Sequence, residues 1–363
     1  MSATSHPFLR VLMALAALVP ATACTAAEFP AEGAYRAWLE GRADFAQAQP
    51  SPAAAAVAAA LREHLCGGDT SCFPDAAWRK LDARAQRSDD PAVLTLAANV
   101  ASYRPGQSDL AQRWSQVAAI DRDNAYPLIL QAAAEWHAGH HTQAIETLKA
   151  ALARPRDDDQ FGAAFRLLRP VLDAAPPSSE QLPPCALATR EASNAPSVAE
   201  LRALVLFEIV SDVSFPNSLG YMHLLCKDAK PEETERRMTC SAIGAHLTTH
   251  ATSLLSHTMG LALQRFVAEP ERQEAIDEAR RKVSDELHRK LWWIENAPSA
   301  AQRAAASDYW LDQLSQVGEV AAADALVRQF GEPPAEPREQ REIRQNQQME
   351  KARACYARTH HDG

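Results

Sequence analysis

Residues 89–122 read DDPAVLTLAANVASYRPGQSDLAQRWSQVAAIDR, and residues 123–154 read DNAYPLILQAAAEWHAGHHTQAIETLKAALAR. Shifted by 34 residues, Asp89-Asp90-Pro91 falls on Asp123-Asn124-Ala125, Leu94 on Leu128, Ala98 on Ala132, Leu110 on Ala144, Trp114 on Leu148 and Val117 on Ala151. Each copy predicts a first helix, Pro91 to Tyr103 and Tyr126 to Ala138, with a small alanine where two helices must approach closely. A turn follows, at Arg104-Pro105-Gly106-Gln107-Ser108 or Gly139-His140-His141. A second helix, Asp109 to Ile120 or Thr142 to Ala153, sets apolar residues at i, i+4 and i+7 against the first.

A helix-turn-helix unit recurring every 34 residues resembles the tetratricopeptide family. The resemblance covers about 65 residues of the chain. It implies hairpins stacked so that the first helices line a concave surface that holds a peptide or a partner helix. Carried onto this sequence, the groove residues are Asn99, Tyr103, Tyr126, Trp136 and His137. No third copy follows in register. Two hairpins cannot bury their apolar faces alone, so flanking helices are expected to cap them.

Working outward, Ala31 to Phe45, Pro52 to Leu65 and Pro74 to Arg87 read as helices, with prolines at the first turn. Gln160 to Leu168 starts another, which Pro170 is expected to stop. The Pro/Ser-rich stretch Ala174 to Pro196 is the clearest internal joint. Beyond it, Ser197-x-x-Glu200 forms a capping box ahead of Leu201 to Val213, and a short helix lies around Leu219 to Cys226. Glu232 to Val267 reads as one long helix or two broken near Gly260. Helices at Pro270 to Trp293, Ala300 to Leu314 and Val320 to Phe330 end on Gly331, and the tail from Glu332 is polar. The fold class is therefore all-α: tetratricopeptide-like hairpins over residues 31–173, a linker over 174–196, a second helical bundle over 197–331 and a tail over 332–363.

The N-terminus carries an export layout. Arg10 precedes the apolar run Val11 to Val19, and Pro20 breaks it before Ala21-Thr22-Ala23, so residues 1–23 read as a signal peptide. The run is shorter than the roughly 20 residues of a membrane span. Cys24, directly after Ala23, resembles the acylated cysteine of bacterial lipoproteins, although Ala21 stands where that family usually has Leu, Val or Ile. The lipoprotein resemblance implies membrane attachment through Cys24, and Thr25 then suits outer-membrane sorting in a Gram-negative bacterium; ordinary cleavage leaves a periplasmic protein.

Seven cysteines become an even six if Cys24 is acylated or removed. Spacing suggests Cys66 with Cys72 and Cys226 with Cys240, leaving Cys185 with Cys355, in a compartment where disulfides persist. Free buried thiols are the alternative.

Composition excludes one class of partner. Alanine contributes 73 residues and glycine 13, a balance that favours helices. Without Arg10 the chain carries 36 basic and 46 acidic residues, a net charge of −10, which argues against nucleic acid.

His246 and His250 lie one helical turn apart, a spacing that suits a transition metal, but Leu247 occupies the place of the zincin glutamate. His257 continues the row about 10.5 Å further along a straight helix. The bland reading is a histidine row beside an apolar face. His137, His140 and His141 gather at a helix C-terminus, where they interact favourably with its carbonyls. No nucleophile elbow and no glycine-rich phosphate loop occurs. The sequence thus points to an exported, non-catalytic helical-repeat protein without a cofactor, acting on a protein or peptide partner. The alternative is a metal-dependent hydrolase built on His246 and His250.

Overall fold

The computed structural model describes residues 30–178 apart from 105, 107 and 108, residue 181, residues 198–336 apart from 215 and 216, and isolated positions from 340 to 350. Cys24, Cys185, Ser197 and Cys355 lie outside these residues, as does most of the 174–196 stretch and of the tail. Every regular element described is a helix. They are α1 (Pro30–Ala48), α2 (Pro52–Cys66), α3 (Asp75–Ala85), α4 (Pro91–Ser102), α5 (Leu110–Ile120), α6 (Tyr126–His137), α7 (His141–Leu152) and α8 (Phe161–Asp173), then α9 (Val198–Ser214), α10 (Asn217–Lys227), α11 (Thr234–His250), α12 (Leu254–Val267), α13 (Pro270–Lys290), α14 (Trp292–Asn296), α15 (Ala300–Val317) and α16 (Glu319–Phe330). The fold is all-α, and none of these helices is long and apolar enough to cross a membrane.

Local chemistry sets several helix starts. Ser51 accepts a hydrogen bond from the Ala54 N–H and Asp90 one from the Ala92 N–H, each just before a proline at the first helical position. Two expectations change. Pro170 does not stop α8, which runs on to Asp173. The proline forfeits one backbone bond near the helix end, while Val171 and Leu172 beyond it are buried in the largest core. The second half of the chain also breaks earlier than expected. α11 ends at His250 and α12 starts at Leu254, with Ala251 extended and Ser253 capping α12 through the Ser256 N–H. Gly260 lies inside α12, where a Cβ would stand 2.6 Å from the Gly244 carbonyl oxygen. Its use is close approach of α11 and α12, not a hinge.

The paired positions of the two copies are all buried: Leu94 and Leu128, Ala98 and Ala132, Leu110 and Ala144, Trp114 and Leu148, Val117 and Ala151. The helices of each copy nonetheless differ. α5 buries one stripe, Leu110, Trp114, Val117 and Ala118, and α7 buries Ala144, Leu148 and Ala151. α4 is enclosed on every side from Ala92 to Ser102, and α6 buries both of its faces. The second half of the chain covers them. α9 packs on α2, α4, α8 and α15, and α10 packs on α6. One core therefore combines α1 to α4 with α8, α9, α15 and α16, and a second combines α6 and α7 with α10, α11 and α12.

Candidate functional site

The five residues expected to line a groove separate into two groups. Asn99 and Tyr126 are each 2 % exposed, so neither can meet a partner at the surface. α9 and α10 of the same chain pack on the first helices, and Tyr126 is enclosed further inside, among Leu94, Ala98, Trp114 and Leu130 of α4, α5 and α6. Tyr103 is half-buried and its hydroxyl donates to the Asp212 carbonyl on α9. The Asn99 Oδ1 and the Tyr126 hydroxyl are buried without hydrogen-bond partners, and the Tyr103–Asp212 contact makes a polar seam between the end of α4 and α9 inside the molecule.

His64 anchors one end of the seam. Its Nδ1 lies 2.7 Å from the Asp212 carboxylate and its Nε2 3.1 Å from the Tyr35 hydroxyl, so α1, α2 and α9 meet at one imidazole. Burial alone would lower the pKa of His64. The hydrogen bond and charge of Asp212, with Glu208 adding to them, outweigh burial and hold it above its ordinary value. Burial pushes the nearby Glu208 carboxyl up to about 7, against the pull of His64. The Arg104 side chain is fully enclosed 2.8 Å from the buried Glu63 carboxylate. Chemically the arrangement holds a proton between His64 and Asp212 and fixes the imidazole tautomer. Sequence reading missed this cluster because its members come from four separate helices and form no motif. The one local signal is a charged Glu208 inside the apolar run Val205-Leu206-Phe207-Glu208-Ile209-Val210.

Trp136 and His137 remain accessible. The half-buried Trp136 ring stacks on His141 with centroids 4.0 Å apart, and the Arg236 guanidinium lies 4.2 Å from its centre on another side. Exposed His137 lies flat on Tyr221 of α10, with centroids 3.7 Å apart and planes inclined by 5°. Leu224, one turn beyond Tyr221, is 46 % exposed. Together these side chains form an aromatic surface where α6, α7, α10 and α11 meet. Trp136→Ala removes the stack and the cation contact and is expected to cost about 1–2 kcal/mol, read as a lowered urea midpoint with an unchanged circular dichroism spectrum.

The His246 and His250 rings are neighbours, with centroids 4.7 Å apart. Burial, reinforced by His250, lowers the pKa of His246. His257 does not extend their row, because the break at Ala251–Ser253 places it on α12. Among the described residues no group of three or more His, Cys, Asp or Glu is placed to hold a metal ion. Cys66 is joined to Cys72 across the 67–71 loop, and Cys226 to Cys240 across the α10–α11 connection. No protein-family model, no curated protein and no solved structure matches the chain.

Proposed function

We propose that the protein is an exported, non-catalytic helical scaffold of the bacterial cell envelope that holds a protein partner at the aromatic surface around Trp136, His137, Tyr221 and Leu224. The observation that carries this reading is the pair of stacked rings at the end of α6, with Leu224 exposed beside them. Aromatic side chains with a polar edge dominate binding hot spots. The hairpins α4–α5 and α6–α7 are read as tetratricopeptide-like units whose inner face is spent on the protein's own second half, which leaves the hairpin end for a partner. The two disulfides suit an oxidising compartment, and acylation of Cys24 would tether the scaffold to a membrane.

A photo-crosslinking side chain placed at position 137, 221 or 224 of the full chain, expressed in its host, tests this. The expected result is one discrete adduct from these positions and none from exposed position 281 on α13. No adduct from any of the three, or the same adducts from position 281, would contradict it. Alkylation of the cells before lysis tests the compartment. Cys66, Cys72, Cys226 and Cys240 should resist the reagent until reduced, and labelling without reductant would contradict export.

A further inference from the structure

Four helix connections meet at one buried polar knot. The α5–α6 connection supplies Asp121 and Asn124, and the α7–α8 connection supplies residues 156 to 160. The α11–α12 connection supplies Thr252 and Ser253, and the α15–α16 turn supplies Gly318 and Glu319. Backbone bonds join them: the Ala125 N–H to the Arg156 carbonyl at 2.8 Å, the Val320 N–H to the Thr252 carbonyl at 3.2 Å, and a bridge between Asp157 and Ala251. Space is tight, since a Cβ on Gly318 would stand 2.9 Å from the Thr252 carbonyl oxygen. Gln160 takes a left-handed backbone, φ 59°, the one non-glycine among the described residues to do so. Strain of this kind persists where the surroundings over-determine it.

Carboxyl groups fill the knot without matching cations. Asp157 is fully buried and both of its side-chain oxygens lack a hydrogen-bond partner. Asp159, 4 % exposed, accepts from the hydroxyls of Ser253 and Ser256 and from the Phe161 N–H. Glu319, 7 % exposed, accepts from the Leu254 N–H at 2.8 Å. Arg156 is the cation at hand, and its guanidinium is committed to Asp121 and Asp158. Asp158 also accepts from Thr252 and from the Gln160 N–H. Tyr126 faces the same carboxyls from α6. The 251–256 segment presents hydroxyls to them.

We infer that this knot is a proton-operated latch: with Asp157, Asp159 and Glu319 protonated it clamps the hairpin region to the α11–α12 and α15–α16 turns, and loss of those protons loosens it. An ionised carboxylate buried without a cation is costly, and two or three in one knot repel each other. The electrostatics agree with the geometry. Burial lifts Asp157 well above the carboxylate range, with Asp159 and Asp158 adding to it, lifts Asp159 to about 6 against the hydroxyls that favour its charge, and lifts Glu319 to about 7. The sign follows from linkage. Folded-state values above the unfolded ones mean that the knot's contribution is whole below about pH 4 and that the parts due to Asp159 and Glu319 are lost as pH rises through 6 and 7.

His64, Glu63 and Glu208 also have raised values elsewhere in the fold, so global stability is the wrong readout. The test is local amide exchange by mass spectrometry in the full chain, on peptides spanning 251–256 and 316–322, which contain the Leu254 and Val320 amides. After correction for intrinsic exchange, protection there should fall at least about tenfold between pH 5.5 and pH 8, with peptides of α4 changing far less. Asp157→Asn combined with Glu319→Gln keeps shape and removes two of the three charges, which also ends their repulsion of Asp159. It should leave less than about a threefold fall and raise protection at pH 8. Equal protection at both pH values in the natural protein overturns the latch, as does an undiminished fall in the double variant. Should the double variant not fold, Glu319→Gln alone is read the same way, because its amide oxygen still accepts from the Leu254 N–H.

Discussion

Replacing Arg104 by methionine lowers the unfolding free energy by about 3–5 kcal/mol. The guanidinium is wholly enclosed, lies 2.8 Å from the Glu63 carboxylate, donates to the Phe73 carbonyl at 2.7 Å and stacks 4.4 Å from the centre of the Phe73 ring. It thus joins the end of α4 to the end of α2 and to the disulfide loop between them. Methionine keeps much of the apolar stem and loses the charge, which strands a carboxylate that is 3 % exposed. Burial already lifts the Glu63 pKa against the pull of Arg104, and without the cation it climbs further. The deficit should therefore be smaller at pH 5, where Glu63 can take a proton, than at pH 8. Urea unfolding at the two pH values measures it. A second change, Glu63→Leu, should recover most of the loss. A deficit below about 1 kcal/mol at pH 8 would mean that the pair is not enclosed as described.

Gly162→Ala costs about 3 kcal/mol, at the upper end of what overpacking usually does. The added methyl would sit 2.3 Å from the Leu314 carbonyl oxygen. Backbone of α15 cannot rotate out of the way as a side chain can, so α8 and α15 must move apart. That separation opens the largest core, which holds Phe161, Phe165 and Leu168 on one side and Trp310, Leu311 and Leu314 on the other. Gly41→Ala is the matched control. Nothing lies within 4 Å of a Cβ there and the residue is in the middle of α1, so the same change should stabilise by about 0.5–1 kcal/mol through helix propensity. Thermal or urea unfolding of the two variants side by side should move in opposite directions. Equal shifts would contradict the close crossing of α8 and α15.

The helices were legible because each signal was local: prolines at first turns and apolar stripes on α5 and α7. The paired cysteines at 66 and 72 and at 226 and 240 were legible by spacing. The closed inner face was written in the sequence but not drawn from it. α4 reads Pro91-Ala92-Val93-Leu94-Thr95-Leu96-Ala97-Ala98-Asn99-Val100-Ala101-Ser102, without a charge on any side, and a helix apolar all round is buried all round. A groove-lining helix would need one polar, open face. By contrast the break at Ala251–Ser253 had no local breaker residue. It arises because Thr252 bonds to Val320 and Ala251 pairs with Asp157, contacts made across about 70 and 95 positions of chain, and periodicity reports nothing over such separations. The same holds for His64 with Asp212 and for Asp159 with Ser253. Three successive aspartates at 157 to 159 look like a solvated loop until the turns around them are in place.

Hydroxyl-radical footprinting of the intact protein tests most directly whether the chain closes over its own hairpins. Oxidation rates at Met222 of α10, buried against α6, and at Tyr103, whose hydroxyl meets α9, are compared with those at Trp136, His137 and Tyr221, on the aromatic surface. The account predicts that Met222 is protected as fully as the enclosed Trp114, that Tyr103 is oxidised slowly, and that Trp136, His137 and Tyr221 react readily. Oxidation of Met222 at the rate of Tyr221 in the folded protein would show an open groove and contradict it.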